Sequence, residues 1–513
     1  MSFSPYAEPL LTALSDPGEI IYLLPGGEMG GPGDSPLAAI IPVMAPGNFG
    51  SKAFRKEFNL RYAYVGGAMV GGISSAAMVE ALADISVLGI FGASGLSPVV
   101  VEDNIVRLKE RLGSKTFGSC LIHSPQDPTW EEKVVEIYLR HGVDLIEASA
   151  FTQITPSLVR YRLQGLKVDQ EGEILAPNRI MAKVSRLELA RRFFSPPPPK
   201  IVKEILAKGW ITAEEAALAE RIPMAQDLTA EADSGGHTDF RPALTLWPSA
   251  IALAQEMTEK HGYQQDLRIG AAGGLGAPPA FLAAQDLGVA YFVTGSINQS
   301  CVESGLSEGG RELLAKASQT DVAVAPAADM FELGARVQVL KYGTLFAPKA
   351  QKLVEFWRRY QSLEDIPEAE RLDLEDKIFK APLADIWSQT AEFFKARDPE
   401  QLAKAEKDPH FKLALIFRWY LGQASRWAIN GVKERRSDWC VFAGPSIGAF
   451  NEWVAGTFLS DPANRTVALL AQNLLYGLAV YKRMVMAKDL GFLPDDLCQP
   501  LKPLTAEKLA PYI

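Results

Sequence analysis

The residues best placed for chemistry lie in one short stretch, Glu231-Ala232-Asp233-Ser234-Gly235-Gly236-His237-Thr238-Asp239. The apolar run before it, Met224 to Ala230, predicts a strand. A histidine just past the C-terminal end of a strand sits where α/β barrels place catalytic groups. An imidazole there can give or take a proton near neutral pH. The paired glycines let backbone approach a ligand closely. The chain has five histidines, so the position of His237 carries weight. The competing reading is a loop histidine satisfied by its neighbour Asp239.

Two later loops suit a phosphate. One reads Gly270-Ala271-Ala272-Gly273-Gly274-Leu275-Gly276, the other Thr294-Gly295-Ser296. Loops after the last two strands of a barrel commonly bind phosphate through backbone N–H groups. Gly273, Gly274 and Gly295 would bring amides close, and Thr294 and Ser296 would add hydroxyl donors. The spacing does not match the dinucleotide fingerprint, and the early run Pro25 to Gly33 lacks the Gly-Lys-Ser/Thr of a P-loop. Small residues also fill 66–75, with Ala68 and Met69, and 91–96, with Gly92. They clear room for a large flat ligand such as FMN, or else allow close strand–helix packing. Lys183 could place positive charge near such a ring, or be an ordinary salt-bridged lysine.

The elements that must position these residues alternate. Short apolar runs predict strands near 62–68, 86–91, 116–122, 143–149, 179–184, 226–232, 267–271 and 290–294, with helical patterns such as Ser74 to Ala83 and Pro128 to Arg140 between them. Eight βα units over residues 61–320 match a (β/α)8 TIM barrel; a doubly wound sheet is the competitor. Residues 187–223 form a helical insertion that contains four consecutive prolines, Pro196 to Pro199, and a capping-box helix start at Thr212 to Glu215; it would lie on the catalytic face as a lid or channel wall, or be a solvated elaboration. Residues 1–60 are a loop-rich segment. Beyond 320 the strand pattern stops, and 321–513 reads as a C-terminal all-helical domain whose aromatics, Phe417 to Tyr420 and Trp427, serve packing.

Composition narrows the partners. A net charge of −9 without a long basic run argues against nucleic acid as the main partner. Cys120, Cys301, Cys440 and Cys498 have no metal-ligand spacing and read as free thiols in a reducing compartment. No signal-like start is present, and the longest apolar region, Val467 to Tyr481, is too short to span a bilayer. A cytoplasmic, metal-free protein is expected.

The chain resembles the PfaD family, the trans-acting flavin-dependent enoyl reductases of polyunsaturated fatty-acid and polyketide synthases, within the wider nitronate-monooxygenase-like barrels. The resemblance rests on YAYVGGAMVGGISS (62–75), FGASGL (91–96), LIHSP (121–125), EASAF (147–151), AKVSR (182–186), EADSGGHTD (231–239), IGAAGGLGAP (269–278) and VTGSINQSCVESG (293–305). It continues through APAADMFELG (325–334), VQVLKYGTLFA (337–347) and FRWYLG (417–422), which simpler barrel relatives would not be expected to carry. It implies FMN over Ala68 and Met69, Lys183 near the ring's polar edge, and phosphate on Gly273, Gly274, Gly295 and Ser296. It implies that His237 donates a proton or polarises a thioester carbonyl. Cys120 departs from the asparagine expected at a flavin contact. The implied partners are NADPH or NADH and an acyl carrier protein, with a possible homodimer. The alternatives are a nitronate monooxygenase and a flavin-binding synthase component with no turnover of its own.

Overall fold

The computed structural model describes residues 6–125 and 127–513. Eight parallel strands close into a barrel: Tyr64–Gly66, Leu88–Phe91, Gly118–Ile122, Leu145–Ser149, Arg179–Val184, Asp227–Glu231, Arg268–Ala272 and Tyr291–Thr294. They are called here the first to eighth strands. The eighth pairs with the first through Val293 and Val65. That closure excludes the doubly wound alternative. Strands of such a sheet are covered on both faces, so they read as continuous apolar runs. Leu88–Phe91 and Leu145–Ser149 are accordingly buried at every residue.

The N-terminal mouth of the barrel is plugged. Helix Lys52–Phe58 starts on Ser51, whose Oγ accepts from Phe54 N at 3.2 Å. Phe54 and Phe58 are fully buried with Val65, Leu88 and Tyr291. Phe54 stacks on Tyr291 with centroids 4.4 Å apart. Burying two such rings stabilises this end by about 1.5–3 kcal/mol each. Arg268 completes the seal, bridging Glu57 at 2.6 Å and Asp227 at 2.7 Å. The barrel interior is closed at this end, and the site residues singled out in the sequence gather at the opposite end, beyond the strands' C-termini.

The insertion lies at the plugged end, not on the catalytic face where the sequence reading puts it. Helix Leu187–Phe194 runs back down the outside of the barrel after the fifth strand. Everything after Phe194 therefore starts from the N-terminal side. Helices Pro199–Ala207 and Ala213–Leu218 follow, the second with the expected capping box of Thr212 and Glu215. Glu215 accepts from Gly165 N, and Arg162 donates to Pro223 O and Asn178 O. These contacts fasten the insertion to segments that precede the fifth and sixth strands.

The C-terminal stretch is helical but carries an antiparallel hairpin where the sequence pattern suggests only helix: Val322–Pro326 pairs with Arg336–Leu340. The stretch also divides between two cores. Residues from Ala325 to Cys440 pack around helices Phe346–Arg359 and Pro409–Asn430, with Phe417 and Tyr420 fully buried. Trp439, Phe450, Leu470 and Leu474 instead join the core of the barrel. Helix Val467–Asp489 further packs on Leu10, Leu14 and Ile21 of the N-terminal segment. Among the described residues no helix is long and apolar enough to cross a membrane, and no cluster of three or more His, Cys, Asp and Glu could hold a metal. All four cysteines are buried and unpaired.

Candidate active site

A cavity of about 210 Å³ opens at the C-terminal ends of the strands. Of the residues singled out in the sequence, Ala68, Met69, Cys120, Lys183, His237, Gly273, Thr294, Gly295 and Ser296 line it. Two do not. Gly92 faces the neighbouring loop: a Cβ there would come within 1.9 Å of Met69 O. Its N–H donates to Ser74 O at 2.9 Å. Gly92 thus packs against the Met69 loop and does not line the cavity. Gly274 sits in the turn behind Gly273, at φ +77°.

The hydroxyls of the phosphate loop differ in what they have left to give. Thr294 Oγ1 meets the Tyr64 hydroxyl at 2.7 Å and donates to Asn298 Oδ1 at 3.1 Å. With one proton and both neighbours engaged, Thr294 is a packing residue rather than the donor expected. Ser296 Oγ accepts from Gly444 N at 3.0 Å, so its own proton remains for a ligand. A Cβ on Gly295 would meet nothing within 4 Å, which leaves an open cradle beside that hydroxyl.

Lys183 is both things the sequence allowed: it is salt-bridged, and it lines the cavity. Its Nζ lies 3.0 Å from Glu147 Oε1 and 3.9 Å from Glu231 Oε1. Burial alone would lower its pKa, but the two carboxylates outweigh this and hold it firmly protonated. Burial, opposed by Lys183, raises the pKa of Glu231. Glu147 has its Oε2 buried with no partner among the described residues. Cys120 sits 3.1 Å from Ser94 Oγ and 3.7 Å from Ser149 Oγ. Burial and then the Glu147 charge push its thiol up to about 11. It is a neutral thiol at physiological pH, not a nucleophile.

His237 is not satisfied by Asp239. Asp239 binds Arg186 at 2.8 Å and Ser185 at 2.6 Å. The imidazole Nε2 lies 3.1 Å from Asp329 Oδ1, on the turn of the C-terminal hairpin. Desolvation lowers the pKa of His237, but the Asp329 hydrogen bond and charge, with Glu231, outweigh it, and the net shift is upward despite Lys183. The hairpin also fixes the loop's backbone. Gly236 N donates to Gln338 O and Gln338 N to Gly236 O, both at 3.0 Å. Gly235 and Gly444 allow direct backbone contact, since a Cβ on Gly235 would stand 2.7 Å from Ala443 N. Gln299 Nε2 donates to Phe442 O at 2.6 Å.

Sequence reasoning therefore missed Asp329, Phe442 and Ser446, all contributed by the C-terminal stretch. It also missed Glu147 and did not pair Glu231 with Lys183. One signal for Glu147 was present: a carboxylate in the middle of the apolar strand Leu145–Ser149 has to point at a buried cation or cost several kcal/mol.

The enoyl reductase domain of MlnA, from the macrolactin cluster of Bacillus amyloliquefaciens, superposes with a TM-score of 0.82 at 36% sequence identity, over 86% of this chain and 99% of that one. The chain belongs to the PfaD-like enoyl reductase family. Two further relatives of this family member are the polyketide biosynthesis protein PksE of Bacillus subtilis, 42% identical over 84% of this chain, and one of the polyunsaturated fatty acid synthase proteins of Thraustochytrium sp., 43% identical over 83%. The chain spans 56% and 29% of those two proteins, respectively. Residues 360–439 match the family model of the inserted helical domain of [acyl-carrier-protein] S-malonyltransferase. That segment includes helix Pro409–Asn430, which packs beside the hairpin that carries Asp329.

Proposed function

We propose that the chain is an FMN-dependent enoyl reductase, reducing the 2,3-double bond of enoyl thioesters on an acyl carrier protein with NADPH or NADH. The observation that carries this reading is His237, held by Asp329 at the mouth of a small-floored cavity whose base holds a charged lysine.

The residues present suit FMN on three counts. Gly295 leaves open space, Ser296 keeps an unspent O–H, and Lys183 is a protonated cation in the cavity wall. Gly273, Gly295 and Ser296 would hold the phosphate, Ala68 and Met69 the ring, and Lys183 the ring's electron-rich edge. FMN would accept hydride from the nicotinamide and supply hydride for the β-carbon. The chain's own task is then proton delivery and orientation. The bond from Nε2 to Asp329 fixes the His237 ring and leaves Nδ1 to serve the substrate. The protonated imidazole gives its proton to the α-carbon or polarises the thioester carbonyl. The neighbouring Asp329 charge favours the protonated form from which that proton is given.

The test begins with the absorption spectrum and the mass of the released cofactor. FMN is expected, bleached anaerobically by NADPH and restored by crotonyl-carrier protein. FAD, or no flavin after reconstitution, would overturn the cofactor assignment. Oxygen uptake with nitroalkanes in place of enoyl reduction would favour a nitronate monooxygenase. Flavin without turnover of either would favour a non-catalytic synthase component.

A further inference from the structure

A second cavity, of about 260 Å³, adjoins the first. The two share Val70, Ser94, Ile122, His237 and Phe442. The second runs from this junction between the barrel and the C-terminal stretch. Its walls come from Trp130 on the barrel side, Val337 on the hairpin, Phe346 on helix Phe346–Arg359 and Leu421 on helix Pro409–Asn430. Polar groups gather at the junction, where Asp329 holds His237. Away from it the lining is mostly apolar, apart from the hydroxyls of Ser124 and Ser425. The insertion 187–223 contributes nothing to either cavity.

We infer that this second cavity receives the hydrocarbon chain of the acyl thioester, so that the hairpin and the helix Pro409–Asn430 set the chain length the enzyme accepts. The ligand's identity rests on the enoyl-reductase reading. The location rests on the cavity itself. A thioester whose reacting carbons lie beside His237 must send its two ends in different directions. Pantetheine carries two amides, which an apolar wall would leave unpaired. A methylene chain needs no partners and gains from every carbon buried. The acyl end therefore suits this cavity and the pantetheine end does not.

Saturated acyl-pantetheine thioesters from butyryl to dodecanoyl, titrated calorimetrically into the flavin-loaded protein, test this without turnover. Affinity should rise about four-fold per added methylene until the cavity is filled. Ser425→Leu and Ala328→Leu intrude from two elements of the lining, the long helix and the hairpin turn. Each should halt the rise at a shorter chain, and thermal melting identifies any variant that fails to fold. Either variant suffices if the other is unstable. Affinity independent of chain length would overturn the inference. So would an unchanged rise in a folded variant, which would put the chain elsewhere. A loss equal for every chain length would place the pantetheine arm in the cavity instead, and would also overturn it. A chain-length rise truncated by the variants, in a protein that reduces no enoyl thioester, would sink the reductase reading and leave the site standing.

Discussion

His237 depends on a carboxylate 92 residues further along the chain. The proton we propose it delivers is available only while the ring is charged, so the rate of the protonation step should be high below its pKa and fall as pH rises through it. Asp329 raises that pKa. Replacing Asp329 with Asn removes the charge and keeps a polar side chain, so the fall should begin at lower pH. A pH profile of enoyl reduction that does not move would mean that Asp329 does not set the charge of His237. Lys183 makes a separate prediction. Lys183→Met leaves Glu147, which is 0% exposed, without its cation. Removing one partner of such a buried pair typically costs about 3–5 kcal/mol, readable as a lowered urea midpoint. A midpoint within the error of wild type would show that the pair contributes nothing to stability. His237 was legible from its glycines and its place after a strand. Asp329 was not, because it falls in residues 321–513, which read as all-helical, and nothing local ties it to residue 237.

At the level of elements, the sequence was most readable where burial was most uniform. All eight barrel strands announce themselves because strands covered on both faces have little choice but continuous apolar residues. The hairpin escaped for the opposite reason. Val322–Pro326 is half-covered and Arg336–Leu340 begins exposed, so its alternation is weak and charged neighbours give it a helical look. The insertion was found by its prolines and capping box but assigned to the wrong end, since neither feature says on which side of the barrel the chain turns. The close packing of the C-terminal stretch on the His237 loop is itself testable. Gly235→Ala places a methyl 2.7 Å from Ala443 N. Overpacking of this kind costs about 1–3 kcal/mol, and here the strain falls on the His237 loop. The variant should stay folded and lose enoyl reduction. Wild-type turnover in Gly235→Ala would mean that the loop has room the contact denies it.

Across the whole molecule, the C-terminal stretch is part of the candidate site, not an attachment to a finished barrel. It supplies Asp329 to His237, Phe442 and Ser446 to the cavity, and a backbone N–H to Ser296. It also supplies Trp439, Phe450 and Leu474 to the barrel's own core. A fragment ending at residue 320 should therefore lack a cooperative thermal transition. A fragment that melts cooperatively and binds FMN would contradict this shared core.

The central claim is that His237 acts in the protonation step of enoyl reduction while other residues hold the cofactor. Stopped-flow measurement of the two half-reactions in His237→Ala tests it most directly. The account predicts retained FMN, near-normal flavin reduction by NADPH, and reoxidation by enoyl thioester slowed by about 10²–10⁴-fold. Equal slowing of both half-reactions, or of neither, would contradict it.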